Sequence, residues 1–150
     1  MVKKVVLLVA TLFILLTSVC NAFEQPNPNR WSWIASNEKV GCWIDLQTIR
    51  FERKKSKYDE CYGHRFVTVW VQMYFPQDGE VSINKWYCDL DCEKYKFLSL
   101  NRYDSDKNLI NSYNVPVSLQ KYILIIPDTV GERIFERLKK LWSINNRDIY

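Results

Sequence analysis

Histidine is almost missing from this chain: His64 is the single example among 150 residues. A lone imidazole excludes histidine-rich metal sites and leaves any acid–base role to one residue beside a polar loop. Glycine is scarce, with four residues, and none falls in a phosphate cradle. A nucleophile elbow and a metalloprotease helix motif are absent too. The chain also lacks an excess of one charge. Its formal +4 falls to +2 without Lys3 and Lys4, too little to argue for a nucleic-acid partner. There is no internal repeat, low-complexity tract or interdomain linker, and no apolar run after Ala22 approaches the length of a transmembrane helix.

What is present starts at the N-terminus. Lys3 and Lys4 precede an apolar run from Val5 to Leu16, and Cys20, Asn21 and Ala22 then put small residues at the two positions a signal peptidase reads. The run is too short to span a bilayer and ends at a cleavage site, the layout of a secretory signal. A lipoprotein signal acylated on Cys20 would need a small residue before it, where Val19 is β-branched. Residues 1–22 are therefore expected to be cleaved, 23–30 to form a flexible leader interrupted by Pro26 and Pro28, and 31–150 to form one domain. Export to the cell surface, the medium or the periplasm permits disulfides and disfavours chemistry that needs ATP, nicotinamide or reduced thiols. No cofactor is expected.

The exported chain keeps Cys42, Cys61, Cys88 and Cys92, an even set expected to form two disulfides with three connectivities open. A hairpin joining Phe66–Phe75 to Val81–Asp91 brings Cys61 and Cys92 to one end. Pairing Cys88 with Cys92 needs a bend, because four extended residues span roughly 13 Å.

The period of the apolar residues predicts an α+β fold, an antiparallel meander of about six strands with one C-terminal helix. Strands are expected at Trp31–Ile34, Cys42–Phe51, Phe66–Phe75, Val81–Asp91, Tyr95–Tyr103 and Leu109–Tyr113, where β-branched and aromatic residues alternate with polar ones. Asn37 with Gly41, Pro76–Gly79 and Asp104–Asn108 are the turns, and Glu52–Gly63 is read as a long hairpin loop. Along Tyr95–Tyr103, strict alternation puts Tyr95, Phe97, Ser99, Asn101 and Tyr103 on one face. Val130, Ile134, Leu138 and Leu141 recur at helical spacing, with Phe135 and Trp142 widening the stripe, so Val130–Trp142 is expected to be an amphipathic helix packed on the sheet. Thr129 and Glu132 fit a capping box at its start.

Three groups of residues are candidates for chemistry. Arg50, Arg53, Lys54, Lys55 and Lys57 form a basic cluster that suits acidic protein segments or acidic polysaccharide, although a solvated hairpin tip near Asp59 and Glu60 explains the same residues. Asp89, Asp91 and Glu93 lack the glycine-bearing loop that folds carboxylates around calcium. Cys88, Cys92 and His64 match no common structural-zinc spacing, so no metal is expected. A Cys61–His64 nucleophile pair competes with the simpler disulfide role of Cys61, and Asp45, a general base only with a partner in a pocket, reads instead as ending a strand or bonding to a turn amide.

Several short motifs fall in a familiar order: Trp31-Ser32-Trp33-Ile34, Trp43-Ile44-Asp45 with Thr48-Ile49, Val67-Thr68-Val69-Trp70-Val71, Tyr87-Cys88-Asp89-Leu90-Asp91-Cys92, Tyr103-Asp104, and Ile126-Pro127-Asp128-Thr129 opening a helix. From Trp31 to about Trp142 the chain resembles the surface-adhesin protein E family of small exported bacterial domains. The resemblance implies a compact antiparallel sheet with a packed helix, non-enzymatic binding of host extracellular proteins such as vitronectin and laminin, and homodimers. The long Glu52–Gly63 excursion and Cys42, Cys61 and Cys88 depart from that family's pattern. An exported adhesin-like binding protein is thus the leading expectation, with a periplasmic accessory protein that binds another envelope component as its alternative.

Overall fold

The computed structural model describes residues 25–54 and 63–145. The signal segment, Lys55, Lys57 and Cys61 lie outside the described residues. Among the described residues one antiparallel sheet of eight strands is covered on one face by one α-helix, the α+β meander expected from the sequence.

The strands are β1 (Trp31–Ser36), β2 (Gly41–Asp45), β3 (Arg50–Lys54), β4 (His64–Phe75), β5 (Glu80–Asp89), β6 (Lys94–Tyr103), β7 (Leu109–Asn114) and β8 (Ile123–Leu124). The long strand β4 pairs β5 along one edge and shares its other edge between β2, against Val71–Tyr74, and β3, against His64–Thr68. The outer edge of β6 is shared in the same way between β7 and β8.

The single strand expected over Cys42–Phe51 is two strands, because Asp45 breaks it. Its buried carboxylate accepts the Gln47 amide at 3.1 Å, turning Leu46–Thr48 into a short 3-10 helix. The same carboxylate holds the Arg30 side chain at 2.6 Å, while the Leu46 amide donates to the Arg30 carbonyl. The end of the segment read as a leader is therefore tied to β2. Asp45 both ends β2 and bonds to a turn amide, the two roles the sequence left open for it.

A bulge decides the faces of β6. Trp86 pairs Phe97 but Lys85 pairs Ser99, so Leu98 is the extra residue. Tyr95 and Phe97 consequently lie on the helix side with Cys88 and Trp86, whereas Ser99 and Tyr103 lie on the other side with Lys85 and Val81. Strict alternation, which put all of these on one face, fails because an inserted residue inverts every side chain beyond it.

The helix α1 (Val130–Asn145) buries Ile134, Phe135, Leu138 and Trp142 against Cys42, Ile44, Val67, Val69, Val71, Trp86 and Cys88. Trp142 meets Phe51 edge to face at 5.2 Å. At its start the Glu132 amide donates to Thr129 Oγ1 at 3.4 Å, and Glu132 Oε2 accepts the Asp128 amide at 3.0 Å. This is the reciprocal capping expected, with the carboxylate reaching one residue further back. Among the described residues no helix is long and apolar enough to cross a membrane.

The two buried cysteines depart from the disulfide expectation. Cys42 opposes Met73 and Cys88 opposes Val67, six positions apart along β4 and so about 20 Å, far beyond bridging distance. Among the described residues Cys42, Cys88 and Cys92 are free thiols, and the pairing read for Cys61 lies outside them. The chain does bend between Cys88 and Cys92, but Cys88 faces the helix while Cys92 is exposed.

Candidate binding face

Registration with β4 sets what the uncovered face of the sheet carries. Val67, Val69 and Val71 point at the helix, so Phe66, Thr68, Trp70 and Gln72 point away from it, and their partners Asp89, Tyr87, Lys85 and Ile83 share that side. Lys54 pairs His64 and Glu52 pairs Phe66, which adds these two residues of β3 to the same face. Lys96 pairs Tyr87 and adds β6.

The side chains form a ladder of rings and ammonium groups. Phe66 stacks on Tyr87 with centroids 5.2 Å apart, and His64 stacks on Phe66 at 6.2 Å. Lys54 Nζ lies 5.2 Å from the Tyr87 ring centre, Lys96 Nζ 5.2 Å from the same ring and 5.4 Å from Tyr122, and Lys94 Nζ 4.8 Å from Tyr122. Further along, Lys85 Nζ sits 6.0 Å from Trp70. Rings hold the lysine heads by their negative faces; Lys54 and Lys94 also have carboxylate neighbours in Glu52 and Asp89, whereas Lys85 and Lys96 are held by rings alone among the described residues.

Hydrogen bonding fixes one rung. Lys54 donates to Tyr87 Oη at 2.8 Å and lies 3.3 Å from Glu52, contacts that raise its pKa and keep it charged. Burial pushes the Tyr87 phenol up against the opposing pull of Lys54, so the ring stays neutral. Lys85 and Lys96 have no carboxylate partner among the described residues.

Beyond the ladder, an open groove of about 430 Å³ runs between Pro26 of the N-terminal segment and Trp31, Gln72, Ile83 and Tyr103. Trp33, half-exposed, packs edge to face on Trp43 at 4.7 Å, and Trp43 pairs with Gln72 of the groove lining.

The basic cluster read from the sequence is divided by the strand it occupies. Arg50 and Lys54 fall on the uncovered face with Thr68 and His64, and Arg53 falls on the opposite face with Arg65. Lys55 and Lys57 lie outside the described residues. Lys85, Lys94 and Lys96 were missed because they are spread over two strands, and only pairing brings them together. Alternation around Tyr87 and Lys96 is the one signal that could have found them.

The carboxylates around the β5–β6 turn do not converge. Asp91 takes the Arg65 guanidinium at 2.6 Å and the Arg65 amide at 2.7 Å, and Glu93 pairs with Lys139 at 2.6 Å. Asp89, almost fully buried, accepts the amides of Asp91 at 3.2 Å and Cys92 at 3.0 Å and so shapes the turn. His64 Nδ1 lies 3.7 Å from Asp89 Oδ1 and 3.8 Å from Cys92 Sγ. Both neighbours face the same ring nitrogen, which is not the relay of a nucleophile triad, where thiol and carboxylate use opposite nitrogens. Burial and the adjacent Asp89 carboxylate raise the Cys92 pKa, the reverse of thiolate activation.

Compared with protein families, curated proteins and solved structures, the chain matches none.

Proposed function

We propose that this chain is an exported, non-enzymatic binding protein of adhesin-like type that holds a host or extracellular protein, or an acidic polysaccharide, on the uncovered face of its sheet. One observation carries the reading: Lys54, Lys85, Lys94 and Lys96 lie over the rings of Tyr87, Tyr122 and Trp70 on a face that no helix covers among the described residues. Rings supply flat apolar area at low entropic cost, and the lysines supply charge for carboxylate or sulfate groups. The signal-like N-terminus and the resemblance to surface-adhesin protein E support an extracellular setting. The shared nitrogen between Cys92 and Asp89 supports a binding role over nucleophilic catalysis.

Biolayer interferometry against heparin, vitronectin and laminin across a salt series tests the proposal. The wild type should bind at least one of them and weaken as salt rises, and Lys85→Gln combined with Lys96→Gln should weaken binding and flatten the salt dependence. Unchanged affinity and salt slope in the double variant, or no binding to any of the three, would refute the assignment of this face.

A further inference from the structure

We propose that His64, Asp89 and Cys92 form a binding site for a zinc-class divalent transition-metal ion at the end of the uncovered face. The three come from separate places in the sequence, the first residue of β4, the last of β5 and the turn after it. Antiparallel pairing of β4 with β5 brings them together, with Phe66 opposite Asp89. One ligand atom from each lies within 4.8 Å of the others.

The spacing is close to that of a shared metal. With bonds of about 2.3 Å to sulfur and about 2.0 Å to nitrogen, a tetrahedral ion separates the two donors by roughly 3.5 Å. The Nδ1 to Sγ distance is 3.8 Å and Nδ1 to Asp89 Oδ1 is 3.7 Å, so small side-chain rotations close the site. Asp89 Oδ1 and Cys92 Sγ lie on the side of His64 Nδ1, so that nitrogen is the imidazole donor nearest both.

The donors select the ion. One thiolate, one imidazole and one carboxylate offer too few oxygens for calcium or magnesium, and nitrogen with sulfur suits zinc and its neighbours. A thiolate and a carboxylate carry two negative charges, enough to neutralise a divalent cation. Asp89 Oδ1 accepts the Asp91 and Cys92 amides and Oδ2 lies 3.7 Å from Lys94, so the metal would share a carboxylate that these groups already hold in place. The Asp91 and Cys92 amides that donate to Asp89 fix its orientation, as outer-shell partners do in zinc sites. His64 is 38% exposed and Cys92 is exposed, so the ion can enter from solvent and keeps a fourth position open to water or to a ligand group.

The test uses the purified chain, reduced and stripped of metal, titrated with Co²⁺ and then with Zn²⁺. One equivalent of Co²⁺ should bind with a thiolate-to-cobalt charge-transfer band in the near ultraviolet, and Zn²⁺ should bleach it. Cys92→Ser should remove the band, and His64→Ala should weaken Zn²⁺ binding by at least about tenfold. Both side chains are partly exposed, so circular dichroism should show both variants folded, and bound Zn²⁺ should protect Cys92 from iodoacetamide in the wild type. The proposal is overturned if no metal binds at about 100 μM, a concentration well above useful zinc affinities, or if the band persists in Cys92→Ser. Peptide mapping that finds Cys92 in a disulfide in unreduced protein from exporting cells would overturn it equally.

Discussion

Replacing Leu138 by aspartate places a carboxylate at the centre of the helix–sheet contact. Leu138 is fully buried in the cluster that joins α1 to Ile44, Val67, Val69 and Val71. Truncating such a leucine costs about 2–5 kcal/mol through lost transfer energy and the cavity left behind, and an unpaired charge adds its desolvation. A loss of about 4 kcal/mol or more is expected, against a total stability of about 5–15 kcal/mol for a domain of this kind. With a urea m-value of about 2 kcal/mol/M, the midpoint should fall by about 2 M. Leu138→Met, which keeps size and polarity, should cost less than about 1.5 kcal/mol. Lys140→Gln, on the exposed side of the same helix, should change the midpoint little. The measurement is a urea melt followed by tryptophan fluorescence, which reports on the buried Trp86 and Trp142. A Leu138→Asp midpoint equal to that of Lys140→Gln would refute the packing of α1 on this face.

Asp45→Ala should lower stability by about 1–3 kcal/mol, because it frees the Arg30 guanidinium and the Gln47 amide together; a melt indistinguishable from wild type would show that the 3-10 corner does not depend on this carboxylate. Burial works to raise the Asp91 pKa, but the Arg65 guanidinium, its amide and its charge together hold it below the ordinary range. The contribution of Asp91 is therefore present above its unfolded pKa of about 3.9 and lost as pH falls through the lower folded value; stability of Asp91→Asn should vary less with pH below about pH 4 than that of wild type. Burial pushes the Cys42 thiol up to about 12 and raises Cys88 as well, so iodoacetamide at neutral pH should label Cys92 first in native protein and reach Cys42 and Cys88 only on unfolding. Equal native labelling of the three, read by mass spectrometry, would contradict the buried placement.

The sequence by itself determined what depends on local chemistry. The spacing of Ile134, Leu138 and Trp142 marked a helix with one apolar stripe, because residues three and four apart share a face whatever lies beyond them. Pro76 to Gly79 marked a hairpin, and Gly79 has the positive φ of 67° that the turn requires. Alternation in β4 separated Val67, Val69 and Val71 from Phe66, Thr68 and Trp70, leaving open which set faced the helix.

Tertiary structure alone decided what depends on pairing between distant segments. The bulge at Leu98 reversed the faces of β6, and nothing local to Phe97-Leu98-Ser99 announces it, because the extra residue is defined by the partner strand. The run Arg53-Lys54 reads as one patch of charge, but consecutive strand residues point in opposite directions, so Lys54 joins Tyr87 while Arg53 turns away. Cys42 and Cys88 look like partners in a count of cysteines and lie six register positions apart along β4. His64 and Cys92 match no ligand spacing along the chain, yet the β4–β5 pairing brings Nδ1 and Sγ within 3.8 Å. Register converts separation in sequence into proximity in space, and it is set by the sum of pairings across the whole sheet rather than by the residues of any one strand.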